Sequence, residues 1–132
     1  VITPGWLREM AAAAHAETVQ PVTVGLASQR GLPLVEDCGL DFYQVHWYDR
    51  LERRSPLARL SAGKLDRPLL LGEFPTARSR LHAAAVIAAA REAGYSGALA
   101  WSARALDEHS NLAALEEALG ILPPRGFTPS PL

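Results

Sequence analysis

An α/β fold built on a parallel sheet is what this 132-residue sequence predicts, from three observations. Short apolar, β-branched or aromatic runs alternate along the chain with segments of helical period. One run, Pro68-Leu69-Leu70-Leu71-Gly72, is apolar at successive positions, as in strands buried on both faces, and such strands belong to parallel sheets. No glycine-rich phosphate loop comes after any run, which argues against a nucleotide-binding sheet.

In chain order, Thr3-Pro4 is a helix start, a capping hydroxyl before proline at the first helical position. Trp6, Met10 and Ala13/Ala14 then recur at helical spacing to about Thr18. Val22–Ala27 is β-branched and reads as the first strand, ending near Ser28. A short helix, Pro33 to Cys38, is closed by Gly39. Asp41 to Tyr48 holds the second strand, rich in aromatic and β-branched residues, with its core at Asp41–His46. A charged loop, Asp49 to Arg54, leads to a helix over about Pro56 to Ala62. Pro68–Gly72 is the third strand, and an alanine-rich helix over about Ser79 to Ala93 stops at Gly94. Gly97–Trp101 is the fourth strand. Ser110 is expected to cap a last helix with Leu112, Leu115 and Leu119 on one side and Gly120 after it. Residues 1–121 thus form one unit of strictly alternating helices and strands, and 122–132 a proline-rich tail.

Composition fits an ordinary soluble globular domain, with 48% hydrophobic and 20% charged residues and a net charge of -1. That balance gives no basic footprint for nucleic acid and no acidic tail. No apolar stretch is long enough to cross a bilayer, and the first residues read as a helix rather than a signal peptide. The chain opens on Val1 rather than methionine, which suggests a processed, truncated or excised segment. Cys38 stands alone, without a surrounding motif, and is read as a small core residue.

Chemistry gathers at the strand ends. Leu69, Leu71 and Glu73 should share one strand face, so a carboxylate continues an apolar face, which is costly unless the charge is used or paired. Phe42, Gln44, His46 and Tyr48 share a face on the second strand, opposite Val45 and Trp47. On the fourth, Leu99 and Trp101 point together. Ser28, His46 with Tyr48, Glu73 and Trp101 at successive strand ends match the arrangement of a (β/α)8 barrel, where catalytic groups sit at the carboxyl ends of several strands. A whole barrel takes about 250 residues. Four units make half of one.

The pattern His46-x-Tyr48, then Gly72-Glu73-Phe74, then Trp101 resembles the retaining β-glycanases, glycoside hydrolase family five of the cellulase and β-mannanase type. The resemblance covers nearly the whole chain and matches the second half of that barrel, strands five to eight. It implies that Glu73 is the nucleophile, that Tyr48 orients it and that His46 lines the same site. It further implies that Trp101 stacks on the sugar and that the substrate is a β-1,4-linked polysaccharide or oligosaccharide of the cellulose or mannan class; Trp47, beside Tyr48, is expected as a further substrate-binding aromatic. No cofactor and no metal are implied. The family's acid/base glutamate comes after an asparagine, whereas the single asparagine here, Asn111, precedes Leu112. The expectation is therefore a fragment that is inactive alone, whose partner is the missing amino-terminal half-barrel or a second copy.

Two other readings stand beside it. His46, Asp49, Glu73, His82 and His109 could be called metal ligands, but they lack ligand spacing on any one element. Trp47, Tyr48 and Trp101 could instead serve a non-catalytic, carbohydrate-binding or structural half-barrel.

Overall fold

The computed structural model describes residues 3–48 and 65–120. The expected helix at Pro56–Ala62, the charged loop before it and the proline-rich tail lie outside the described residues. Among these, the elements are α1 (Pro4–Glu17), β1 (Gly25–Leu26), a 3₁₀ helix (Gln29–Leu34), β2 (Tyr43–His46), β3 (Leu69–Pro75), α2 (Ala83–Glu92), β4 (Gly97–Trp101) and α3 (Leu112–Leu119). The strands make one parallel sheet in the order β1-β2-β3-β4.

α1, the 3₁₀ helix and α3 start on side-chain caps, whereas His82, the N-cap of α2, makes no such bond. Thr3 Oγ1 accepts from Trp6 N at 3.3 Å with Pro4 just inside α1, as the capping pattern predicts. The buried stripe of α1 is Leu7 and Ala11, however, and Trp6 and Met10 are exposed. The expected helix at Pro33–Cys38 is instead the 3₁₀ turn Gln29–Leu34, because Ser28 Oγ accepts from Arg30 N and nucleates it early. α2 begins at Ala83 rather than Ser79, since Ser79 Oγ accepts from Leu81 N and holds a turn there. α3 is capped by Asn111, whose Oδ1 accepts from Ala114 N, and not by Ser110. It ends at Gly120, whose φ of +61° is the left-handed region that glycine occupies without penalty.

β1 is shorter than the run Val22–Ala27 suggests. Asp41 Oδ2 accepts from Val22 N at 2.7 Å and Thr23 Oγ1 donates to the Phe42 carbonyl at 2.8 Å, so side-chain bonds beside one backbone bond, Asp41 N to the Val22 carbonyl at 2.9 Å, stand in for a regular ladder there. β3 is longer than expected and runs through Glu73 to Pro75.

Tyr43, Val45, Trp47, Leu69, Leu71 and Phe74 share one buried cluster with Leu7, Ala11, Leu32, Ala83, Val86 and Ala90 from the helices. Cys38 lies within it, as its composition and isolation suggest. The opposite sheet face carries Gln44, His46, Leu70, Gly72, Glu73 and the exposed Leu99 and Trp101. Strand parity alone misplaces two groups here. Leu69 and Leu71 lie in the helix-side core, 3% and 0% exposed, and not on the open face with Glu73. Register explains this: Val45 pairs with Leu71 but His46 pairs with Glu73, leaving Gly72 as one extra residue. β4 records the same slip, Leu71 pairing with Ala98 and Phe74 with Ala100. A bulge with one extra residue re-aims the side chains beyond it, and here it turns Glu73 onto the open face.

Candidate active site

Glu73 is held by two donors from β2 and its extension. Tyr48 Oη donates to Glu73 Oε1, and His46 Nδ1 lies 3.2 Å from Oε2. His46 Nε2 is 3.3 Å from Gln44 Nε2, so the tautomer that serves both contacts carries its proton on Nδ1 and accepts from the Gln44 amide. The series Gln44, His46, Glu73 is thus one chain of donors ending on a half-buried carboxylate. Gly25 and Gly72 make room for it: a Cβ at Gly25 would lie 2.8 Å from His46 Nε2, and one at Gly72 would strike Gln44. Burial first, and then the hydrogen bond to the Glu73 carboxylate, push the Tyr48 phenol well above its ordinary range. That phenol stays a donor at any physiological pH.

The loops after β3 and β4 wall the site. His109 sets its ring edge-on to Tyr48, centroids 5.6 Å apart. Its carbonyl accepts from Thr76 N and Ala77 N at 2.9 and 3.0 Å, which locks the two loops together. Arg78 pairs with Glu108 across the same junction. Trp101 pairs in the sheet with Pro75, two residues beyond Glu73, and is 42% exposed. Its indole Nε1 donates to Asp107 Oδ2 at 3.0 Å. The Asp107 carboxyl is held below the usual range, chiefly by the backbone N–H of His109 and then by Ser110 and Trp101.

Of the residues singled out by sequence, His46, Tyr48 and Glu73 come together and Trp101 stands on the same carboxyl-terminal edge of the sheet. Trp47 does not. It is 2% exposed on the helix side, one residue out of phase with His46 and Tyr48, and presents no face to a ligand. Ser28 is spent on its 3₁₀ cap. His82 is the residue before α2 and His109 lies in the β4–α3 loop; among the described residues no three His, Cys, Asp or Glu side chains group as metal ligands. Asp107 escaped the sequence reading, and the parts Gln44 and Gly72 play, though both residues were noted, became visible only in the register. Asp107 did leave a local signal, an Asp two residues before His109 and three before Ser110 that closes an Asx turn onto His109 N at 2.8 Å.

Chemically, the arrangement offers an oriented carboxylate with free lone pairs beside an aromatic face. A carboxylate has about four acceptor positions, and among the described residues two of those on Glu73 are occupied. No family model, curated protein or solved structure matches the chain.

Proposed function

We propose that this chain is the nucleophile-bearing half of a (β/α)8 barrel that hydrolyses β-linked polysaccharide of the cellulose or mannan class with retention. The observation that carries the reading is Glu73 held between Tyr48 and His46 at the carboxyl end of a sequentially ordered parallel sheet. In such a reaction a Glu73 oxygen attacks the anomeric carbon and forms a glycosyl ester, while the glycosidic oxygen leaves with a proton from a second carboxyl group. Water then attacks the same carbon, gives up its proton to that second group, and releases the sugar and the Glu73 carboxylate. The two carboxyl groups of a retaining pair stand about 5–5.5 Å apart. No Asn-Glu pair occurs in the sequence, so the acid/base belongs to the complementary half of the barrel.

That same missing pair favours a second reading, a half-barrel that binds glycan without cleaving it. Trapping separates the two. A 2-deoxy-2-fluoro-β-glycoside with a dinitrophenolate leaving group needs no acid to depart. The expected result is one glycosyl adduct per chain on the peptide holding Glu73, absent from Glu73→Gln. No adduct from gluco- or manno-configured donors, with the complementary half supplied, would overturn the hydrolase.

A further inference from the structure

We propose that Asp107 is a positioning residue that fixes the plane of the Trp101 indole as a platform for a sugar ring, an inference that rests on the glycan-binding reading of this site. Trp101 ends its strand and is exposed, so its ring is free to turn unless something holds an edge. Asp107 holds the N–H edge, accepting from Nε1 at 3.0 Å. The carboxylate is itself fixed from the other side. His109 N donates to Oδ1 at 2.8 Å, and Ser110 Oγ lies 3.0 Å from both oxygens. Ser110 Oγ in turn accepts from Ser102 N at 3.0 Å, which closes the segment from Ser102 to Ser110 on itself. The frame is anchored to the end of β3 by the His109 carbonyl and by Asn111 N, which donates to Thr76 Oγ1 at 2.6 Å. Pinning the edge of an indole leaves both its faces available and removes the rotations that stacking would otherwise have to arrest. A sugar meeting such a ring finds it ordered in advance, and affinity gains by that amount.

A loop-stabilising role for Asp107 would produce the same contacts, so the test must separate the two. Asparagine at position 107 keeps one carbonyl oxygen for His109 N and turns its amide N–H towards the indole N–H, donor against donor. Phenylalanine at position 101 keeps an aromatic face and has no N–H to hold. The four proteins of the cycle, wild type, Asp107→Asn, Trp101→Phe and the double variant, are titrated with cellohexaose and mannohexaose by NMR, with the indole N–H resonances tracked in parallel. Asp107→Asn is expected to weaken binding roughly 3–10-fold beside Trp101 and less than about 1.5-fold beside Phe. The Trp101 indole resonance should move. Asp107→Ser, which can still serve His109 N but falls short of the indole, should show the same split. An equal loss on both backgrounds, or an unmoved indole resonance, overturns the positioning role while leaving the glycan reading intact. Wild-type protein that binds neither oligosaccharide overturns the glycan reading itself, and the platform with it.

Discussion

The Gln44 side chain occupies the space directly over Gly72: a Cβ there would overlap Gln44 Cγ and lie 2.5 Å from its Nε2. The contact joins the bulge in β3 to the donor chain that ends on Glu73. Gly72 is the extra residue that turns Glu73 to the open face, and its missing side chain lets Gln44 lie flat and reach His46. Gly72→Ala should displace Gln44, free the His46 ring and cost about 1–3 kcal/mol in denaturant melts. Gln44→Ala should relieve most of that cost in the double variant. Additive losses would show that the bulge itself rejects a side chain.

Much of this was legible in the sequence, and the failures share a cause. Alternation of short apolar runs with helical segments was enough to place four parallel strands, and Gly97–Trp101 matches the observed β4 to the residue. The site triad was legible because His46, Tyr48 and Glu73 sit at strand ends in an ordered series. Period-two parity, however, assumes an unbroken ladder. Glu73 reached the expected site although parity put it with Leu69 and Leu71, because two errors cancelled: the bulge at Gly72 flips the face, and the leucines lie on the core side. Leucine runs look alike from either face, and only the cross-strand register reveals the slip. Trp47 failed for the opposite reason: its parity with Val45 pointed correctly to the core, and grouping it with the aromatics Tyr48 and Trp101 overrode that parity.

Tyr43 and Tyr48 make alkaline stability a second test. Burial, then a hydrogen bond to Asp66, pushes the Tyr43 phenol up to about 12, and burial with Glu73 pushes Tyr48 up as well. A phenol is neutral when protonated, and the unfolded chain ionises it near pH 10 while the folded chain does not. The stabilisation is therefore whole below pH 10 and falls as pH rises through the folded values, towards about 12 for Tyr43. The expected slope is about 1.4 kcal/mol per pH unit for each phenol. Urea melts between about pH 9 and 12 should show it, with Tyr43→Phe and Tyr48→Phe each removing one share.

The two sheet tryptophans should separate cleanly into structure and surface. Trp47 fills the helix-side core, and Trp47→Ala should cost about 3–5 kcal/mol. Trp101→Ala removes an exposed ring and one hydrogen bond and should cost about 1 kcal/mol or less. Thermal melts give both costs, and oligosaccharide titration gives the affinity of each variant. Glycan affinity should track Trp101, and stability should track Trp47. Loss of affinity in a well-folded Trp47→Phe protein would return Trp47 to the site.

On the proposed reading, substrates with different leaving groups probe the acid/base that this chain does not supply. The 132-residue chain alone should leave β-glucans and β-mannans intact, because protonation of a poor leaving oxygen is worth roughly 10²–10⁴-fold. Activated aryl glycosides should suffer far less, and the polysaccharide activity should return when the complementary half is added. Polysaccharide turnover by the chain alone, lost in Glu73→Gln, would place the second carboxyl group among these 132 residues.

Tyr48 carries the last prediction, on the step that releases the sugar. Its hydroxyl and the His46 Nδ1–H both donate to Glu73. A hydrogen bond to an ionised carboxylate is worth about 1.5–3 kcal/mol, more than one to a neutral ester oxygen. In the proposed reaction both donors therefore favour free Glu73 over the glycosyl ester, and they gain strength as the ester breaks. Tyr48→Phe removes that gain and should slow deglycosylation by up to roughly 10–100-fold. It should slow glycosylation less, because the wild-type carboxylate must give up the same bond on attack. The adduct formed from a dinitrophenyl glycoside should accordingly accumulate, giving a larger burst and then a slower steady rate. If the variant instead slows adduct formation and leaves the adduct's lifetime unchanged, Tyr48 acts by aiming Glu73 rather than by stabilising its charge.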